Sequence, residues 1–202
     1  MRRNRWSLVA FALVALVPGA ATAQSTGTPI YQAPYRAFAK SEIGLSLSDP
    51  GDGYAIEGSV RGALSQKIDL GFRLGFADRS SPSSDALLLG TDVRIRVVDH
   101  TDAFPLDGSF TGGLGMQSGD GYTAIYLPVG FSMGRRVLLE DSAISLVPYV
   151  HPVLTPTFGD TSELEFSFAF GVDVRLNPRL DLRFSGAIGD RGGVGFSAAF
   201  LR

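Results

Sequence analysis

No cysteine occurs among the 202 residues, so disulfides and thiolate metal sites are excluded, although export would permit disulfides. Lysine is scarce, with only Lys40 and Lys67. The balance is acidic, 20 Asp and Glu against 18 Lys and Arg, which excludes nucleic acid and anionic membrane surfaces as electrostatic partners. No window carries the 3.6-residue periodicity of an amphipathic helix, so helical classes are excluded and stability must come from sheet.

The chain opens MRRNRWSLVAFALVALVPGAATAQ. Arg2, Arg3 and Arg5 precede an apolar run from about Leu8 to Val17, followed by the small-residue site Ala21-Thr22-Ala23. The run is too short to span a bilayer as a helix. Residues 1–23 therefore read as a secretory signal peptide, with cleavage expected before Gln24. Losing its three arginines leaves 15 basic residues against 20 acidic ones, a net charge of −5. Residues 24–35, QSTGTPIYQAPY, are polar and contain proline, and read as a short flexible lead-in.

Beyond it a period of two recurs, the signature of strands whose side chains alternate between two faces. In IDLGFRLGF, Ile68, Leu70, Phe72, Leu74 and Phe76 share one face, and Asp69, Gly71, Arg73 and Gly75 the other. Ten such segments are expected: 36–48, 54–64, 68–76, 87–97, 106–116, 123–133, 144–154, 164–176, 180–188 and 194–201. The longest sets Leu164, Phe166, Phe168, Phe170, Val172, Val174 and Leu176 against Glu165, Ser167, Ala169, Gly171, Asp173 and Arg175. Pro128, Pro148 and Pro152 fall within segments and predict bulges or strand ends, because proline removes a ladder hydrogen bond.

The connections alternate in character. Those after segments two, four, six and eight read SQ, VDHTDAF, GRRVLLEDSA and NP. The others read DPGDG, ADRSSPSSD, QSGDG, TPTFGDTS and GDRGG, all rich in turn formers and aspartate. An up-and-down meander puts the two sets at opposite ends.

Alternation does not say which face is inside. A soluble barrel buries its apolar face, whereas a membrane barrel turns it toward lipid. Strands of about 9–11 residues and an even strand number fit the membrane form. The polar face is also unlike a solvated surface, being built of Gly, Ser, Thr and Ala with interspersed charges. Those charges balance: Glu42, Glu57, Asp69, Asp92, Asp107, Glu165, Asp173 and Asp181 against Lys40, Arg61, Lys67, Arg73, Arg94, Arg96, Arg175 and Arg183. Arginine's planar donors can satisfy several carboxylates at once in a desolvated interior. The expected lumen network is Arg73, Arg94, Arg96, Arg175 and Arg183 bridging Glu57, Asp69, Asp92, Glu165 and Asp173. The expected lipid-facing residues are Leu70, Phe72, Leu74, Phe166, Phe168 and Phe170.

The segments AIYLPVGFSMGRRV, SLVPYVHPVL, FAFGVDVRLNPRLDLRFSGAIGD and GVGFSAAFLR resemble the later hairpins of small bacterial outer-membrane β-barrel domains, the OmpA-like and OmpX-like group. The resemblance covers most of 36–202 in style. It implies an antiparallel up-and-down transmembrane barrel in the bacterial outer membrane, with outer-membrane lipids and lipopolysaccharide as surroundings and the barrel-assembly machinery as partner during insertion. Members of the group commonly have eight strands, which would make segments five and seven surplus. They normally end in an aromatic residue, whereas this chain ends Leu201-Arg202.

Barrel enzymes exist, so catalytic sets bear on the reading. The only histidines are His100, in a predicted turn, and His151, which could face the lumen beside Tyr149. Neither has a local nucleophile and carboxylate signature. The chain lacks the His-x-Ser-type pattern of lipid A deacylase-like barrels, and its loops are short beside those of omptin-like proteases. SDPGDGY, QSGDGY and FGDTSELE lack the spacing of a complete calcium loop, and no helix follows GGLGMQSGDG to make a phosphate cradle. The sequence thus predicts an all-β protein without cofactor or metal, non-enzymatic, with a structural, surface-interaction or narrow-pore role. The alternatives are a secreted or periplasmic lipocalin-like barrel binding an apolar ligand, and a lipid-modifying barrel enzyme using His151.

Overall fold

The computed structural model describes residues 25–34, 40–51, 53–79, 85–140, 142–160 and 162–202. The expected signal peptide, Gln24 and the 36–39 part of the first segment lie outside them. Every regular element described is a strand: β1 (Glu42–Asp49), β2 (Gly53–Ala63), β3 (Ile68–Arg79), β4 (Asp85–Val98), β5 (Asp107–Gly119), β6 (Tyr122–Tyr126), β7 (Val129–Gly134), β8 (Val137–Leu138), β9 (Ser145–Phe158), β10 (Glu163–Asn177), β11 (Leu180–Gly189) and β12 (Gly193–Leu201).

Neighbouring strands pair antiparallel, and β1 pairs with both ends of the meander: Leu47 lies opposite Ile56 of β2 on one side and Phe196 of β12 on the other. This closes the sheet and removes its edges. β6 and β7 share one stave between β5 and β9, and β8 adds two residues alongside β9. The result is a closed barrel of ten staves. β5 and β9 both run in the wall, so the eight-strand alternative is corrected.

Proline explains the irregular stave. Between β6 and β7, Leu127-Pro128 interrupts the ladder, and the wall is held there by Gly113 N–H donating to the Pro128 carbonyl at 2.9 Å and Leu127 N–H to the Pro156 carbonyl at 3.0 Å. Pro148 and Pro152 lie inside β9 rather than at its ends. Pro148, Pro152 and Pro156 recur every fourth residue, so their missing donors all point to one neighbour. The Pro148 and Pro156 carbonyls accept from Arg135 and Leu127, so that neighbour is the β6/β7 stave, whose ladder is already broken. The intact ladder of β9 is the one to β10.

The core of this barrel is its lumen. Large apolar side chains point out, among them Leu45, Phe72, Leu74, Leu89, Leu114, Phe170 and Phe200, all exposed, while Glu57, Asp69, Arg94 and Asp173 point in and are buried. The Asp-rich connections fall at one end and the connections 64–67, 99–106, 139–144 and 178–179 at the other, as the meander requires, and the second set includes the longest, 99–106. β1 and β12 meet at that second end, where Arg202 N–H donates to the Ser41 carbonyl at 2.8 Å.

Candidate functional site

The lumen is filled by two things, an ion-pair network from the wall and a segment of the chain itself. The network centres on Arg61 of β2. It donates to Asp69 of β3 and Asp92 of β4, and its Nε lies 3.6 Å from Glu42 of β1. Asp69 also takes Arg94. Arg73 stands 3.8 Å from both Glu57 and Asp92. From β11, on the other side of β1, Arg183 makes a two-pronged contact with the same Glu42, at 3.1 and 2.7 Å, and lies 3.6 Å from Asp173. Arg175 makes a similar fork to Asp181 at 2.8 and 3.0 Å. Planar guanidinium forks suit a place where each arginine must serve several carboxylates with little water.

All ten residues expected in the lumen network face inward. Seven of them, Glu57, Asp69, Arg73, Asp92, Arg94, Asp173 and Arg183, are buried, and Arg96, Glu165 and Arg175 are half-buried. The pairing differs from expectation in detail. Arg96 engages Asp99 at 2.6 Å and Asp107 at 2.8 Å, and Glu165 takes Arg191, a loop residue absent from the sequence-based set. Lys40 and Lys67, counted as inner-face charges, are exposed. Both stand in connections, where a long flexible ammonium stays hydrated. Of the expected lipid-facing residues, Phe72, Leu74, Phe166, Phe168 and Phe170 are exposed, and Leu70 is half-buried on the same outer row.

The second filling corrects the expectation of a flexible lead-in. Residues 25–34, STGTPIYQAP, run inside the barrel, and all ten are buried. We refer to this segment as the strap. It is uncharged, so its burial carries no ion desolvation, and the wall satisfies its polar groups. Ser109, Arg94, Ser132 and Ser185 donate to the carbonyls of Pro34 (3.1 Å), Ala33 (2.6 Å), Gln32 (2.6 Å) and Pro29 (2.7 Å). In the other direction Thr26 and Thr28 donate to the two Glu57 oxygens at 2.6 and 2.5 Å, and Gln32 Nε2 donates to Asp92 at 2.7 Å. Tyr31 packs with Ala33, Val147, Tyr149, Val153, Ala169 and Ala187 in the apolar part of the lumen.

Two glycines show how closely strap and wall approach. A Cβ on Gly115 of β5 would coincide with the Ser25 carbonyl group, so the strap backbone lies directly on that strand. Gly27 has φ +77°, and a side chain there would be 3.1 Å from the Tyr126 ring. The Gly and Ser residues of the inner face thus make room for a peptide. Composition alone showed only that something narrow was being lined. After the strap takes its place, the cavity beside Ile30, Tyr31 and Arg73 measures about 10 Å³, the space of a single water. A larger apolar concavity of about 770 Å³ lies on the outer face, among Ile43, Val60, Phe72, Leu89 and Leu114.

At the Asp-rich end Arg191 folds inward. It donates to Glu165 and, at 3.0 Å, to Thr157, lies over the Tyr126 ring at 4.5 Å, and its carbonyl accepts the Tyr31 hydroxyl at 3.4 Å. His151 is fully buried, with Nε2 2.8 Å from Thr111 Oγ1 and Nδ1 without a hydrogen-bond partner. A hydroxyl–imidazole pair with no carboxylate to orient the ring lacks the third member of a triad. His100 Nδ1 lies 3.1 Å from Asp107 at a turn. Among the described residues no three His, Asp or Glu side chains gather in a metal-holding group.

No family model and no curated protein matches this sequence. Solved structures do resemble it. One is described as a bacterial polysaccharide outer membrane secretin, 14% identical over 74% of this chain, with a TM-score of 0.47; the chain spans 57% of that structure's length. Another is the β domain of the Bordetella autotransporter BrkA, 15% identical over 81% of this chain and 98% of that one, with a TM-score of 0.52. The second likeness bears on the fold, and agrees with a closed antiparallel β-barrel.

Proposed function

We propose that this chain is an integral β-barrel protein of the bacterial outer membrane, non-enzymatic, with a closed lumen and a structural or surface-interaction role. The observation that carries the reading is inverted polarity. Phe72, Leu74, Leu89, Phe170 and Phe200 are exposed around the outside, while Arg61, Asp69, Asp92, Arg94 and Arg183 are buried inside. In water that arrangement would expose an apolar belt and bury charge, two unfavourable terms at once. In a bilayer the first term reverses, since hydrocarbon covers the belt, and the second is offset within the lumen, where the charges are paired. The outer concavity then holds lipid chains.

The same geometry argues against the alternatives. An apolar ligand needs a pocket of about 300–1,000 Å³, whereas the lumen cavities beside Tyr31 and Arg73 and beside Asp173 and Arg175 measure about 10 Å³ each. A lipid-modifying enzyme needs a base that reaches its substrate, and His151 is sealed behind wall and strap. Outer-membrane lipids and lipopolysaccharide are the proposed surroundings, and the barrel-assembly machinery the proposed partner during insertion, as in the OmpA-like and OmpX-like group. Fractionation of expressing cells tests the reading: the chain should sediment with the outer membrane and require detergent for release. Recovery in the aqueous periplasmic fraction would overturn it.

A further inference from the structure

The lumen wall is matched to a peptide. Its donors to the strap, Ser109, Arg94, Ser132 and Ser185, reach backbone carbonyls, which every sequence offers, while Gly27 at φ +77° and the bond from Ile30 N–H to the Thr28 carbonyl turn the segment back on itself. Glu57 then selects two hydroxyls two residues apart, and Asp92 a carboxamide. Wall glycines leave the space. A Cβ on Gly90 would stand 2.8 Å from the Thr26 side chain, one on Gly113 3.1 Å from Ser25, and one on Gly195 2.7 Å from the Pro29 carbonyl.

Most of the wall's charges pair without the strap; Glu57 is the exception, accepting from Thr26 and Thr28 and lying 3.8 Å from Arg73. The pairs of Arg61 with Asp69 and Asp92, Arg94 with Asp69, Arg183 with Glu42, and Arg175 with Asp181 all close between strands. The strap contributes no charge to them. It occupies the barrel as a bound peptide would, rather than bracing it as a strut.

We propose that the lumen is a binding site for a turned, uncharged peptide, filled in cis by Ser25–Pro34, and that vacating the site turns the closed barrel into a narrow pore. The inference rests on the membrane-barrel reading. Ten staves are wider than the eight whose lumen side chains alone can fill, and the strap supplies the missing filling.

Two full-length variants test it by ionic current across a planar bilayer, with insertion scored separately by protease protection in vesicles. Thr28→Glu combined with Gln32→Glu sets strap carboxylates against Glu57 and Asp92, repelling the strap and leaving the wall untouched. Gly115→Val fills the seat of the Ser25 carbonyl from the wall side, where the three nearest atoms all belong to the strap. Both should lose the silent baseline of the parent chain. The synthetic peptide STGTPIYQAP should silence the double variant, and neither a scrambled peptide nor the native peptide should silence Gly115→Val. Two variants that insert but stay silent, or equal block by native and scrambled peptide, would overturn the peptide site. If neither variant folds while the parent does, the strap is a strut and the inference fails. A parent chain that never inserts would count against the membrane reading instead.

Discussion

Arg61 on β2 and Asp92 on β4 meet directly above Gly71, the residue in register between them on β3. A Cβ on Gly71 would lie 2.8 Å from the Arg61 guanidinium carbon and 3.1 Å from an Asp92 oxygen. The missing side chain lets an ion pair reach across an intervening strand. Removing one partner of a buried pair leaves an uncompensated charge, which typically costs about 3–5 kcal/mol. Arg61→Ala takes the nearest cation from Asp92, leaving it Gln32 and an Arg73 3.8 Å away, while Asp69 keeps Arg94, so the urea midpoint after refolding into detergent or vesicles should fall by up to that amount. Adding Asp92→Asn should recover part of the loss. A midpoint unchanged by Arg61→Ala would show that water screens the network.

Gly71→Val tests the same row without touching a charge. Valine ordinarily favours a strand, so a surface-like site would be stabilised or indifferent. Here the added branch collides with the guanidinium, and overpacking in tight interiors typically costs about 1–3 kcal/mol. The expected outcome is a lower unfolding midpoint, with Gly62→Val as the control, since nothing lies within 4 Å of a Cβ there.

Much of the wall could be read from the sequence because alternation encodes it twice, once in the apolar row and once in the polar one. IDLGFRLGF became the opening part of β3, from Ile68 onward, with Phe72 and Leu74 out and Asp69 and Arg73 in. The connections separated correctly because turn chemistry differs at the two ends. The strap was illegible for a physical reason. STGTPIYQAP has no period, no charge and two prolines, which is the composition of a linker, and its order comes from partners that are distant in sequence, such as Ser109 and Ser185. Arg191 was missed similarly. It sits in a Gly-rich loop, and its partner Glu165 lies on another stave. The surplus of inner-face Gly and Ser was the available signal for a lumen occupant.

The outer row has its own test. An arginine near the bilayer midplane of a barrel typically costs about 2–4 kcal/mol, falling to about 0–1 near the interfaces. Phe72 and Phe168 lie within their strands, whereas Leu64 stands at the rim, just past the end of β2, and is exposed. Phe72→Arg and Phe168→Arg should therefore reduce the folded fraction in vesicles much more than Leu64→Arg. Equal tolerance at all three positions would contradict a hydrocarbon-facing belt.

Orientation follows from where the strap enters. Pro34 is held by Ser109, close to the start of β5, and Lys40 Nζ lies 3.4 Å from the Pro178 carbonyl in the β10–β11 turn. Both contacts lie at the barrel end opposite the Asp-rich connections, where Arg202 is also tied to Ser41. An exported chain inserts from the periplasm, so the expected orientation puts this end in the periplasm and the Asp-rich connections at the cell surface. The β5–β6 turn at Asp120-Gly121, with Gly121 at φ +82°, is exposed and suited to an inserted epitope. A tag placed after Asp120 should be labelled by antibody on intact cells, whereas one placed after Pro178 should be labelled only after the outer membrane is permeabilised. The opposite pattern would invert the barrel and put the strap's entrance at the cell surface.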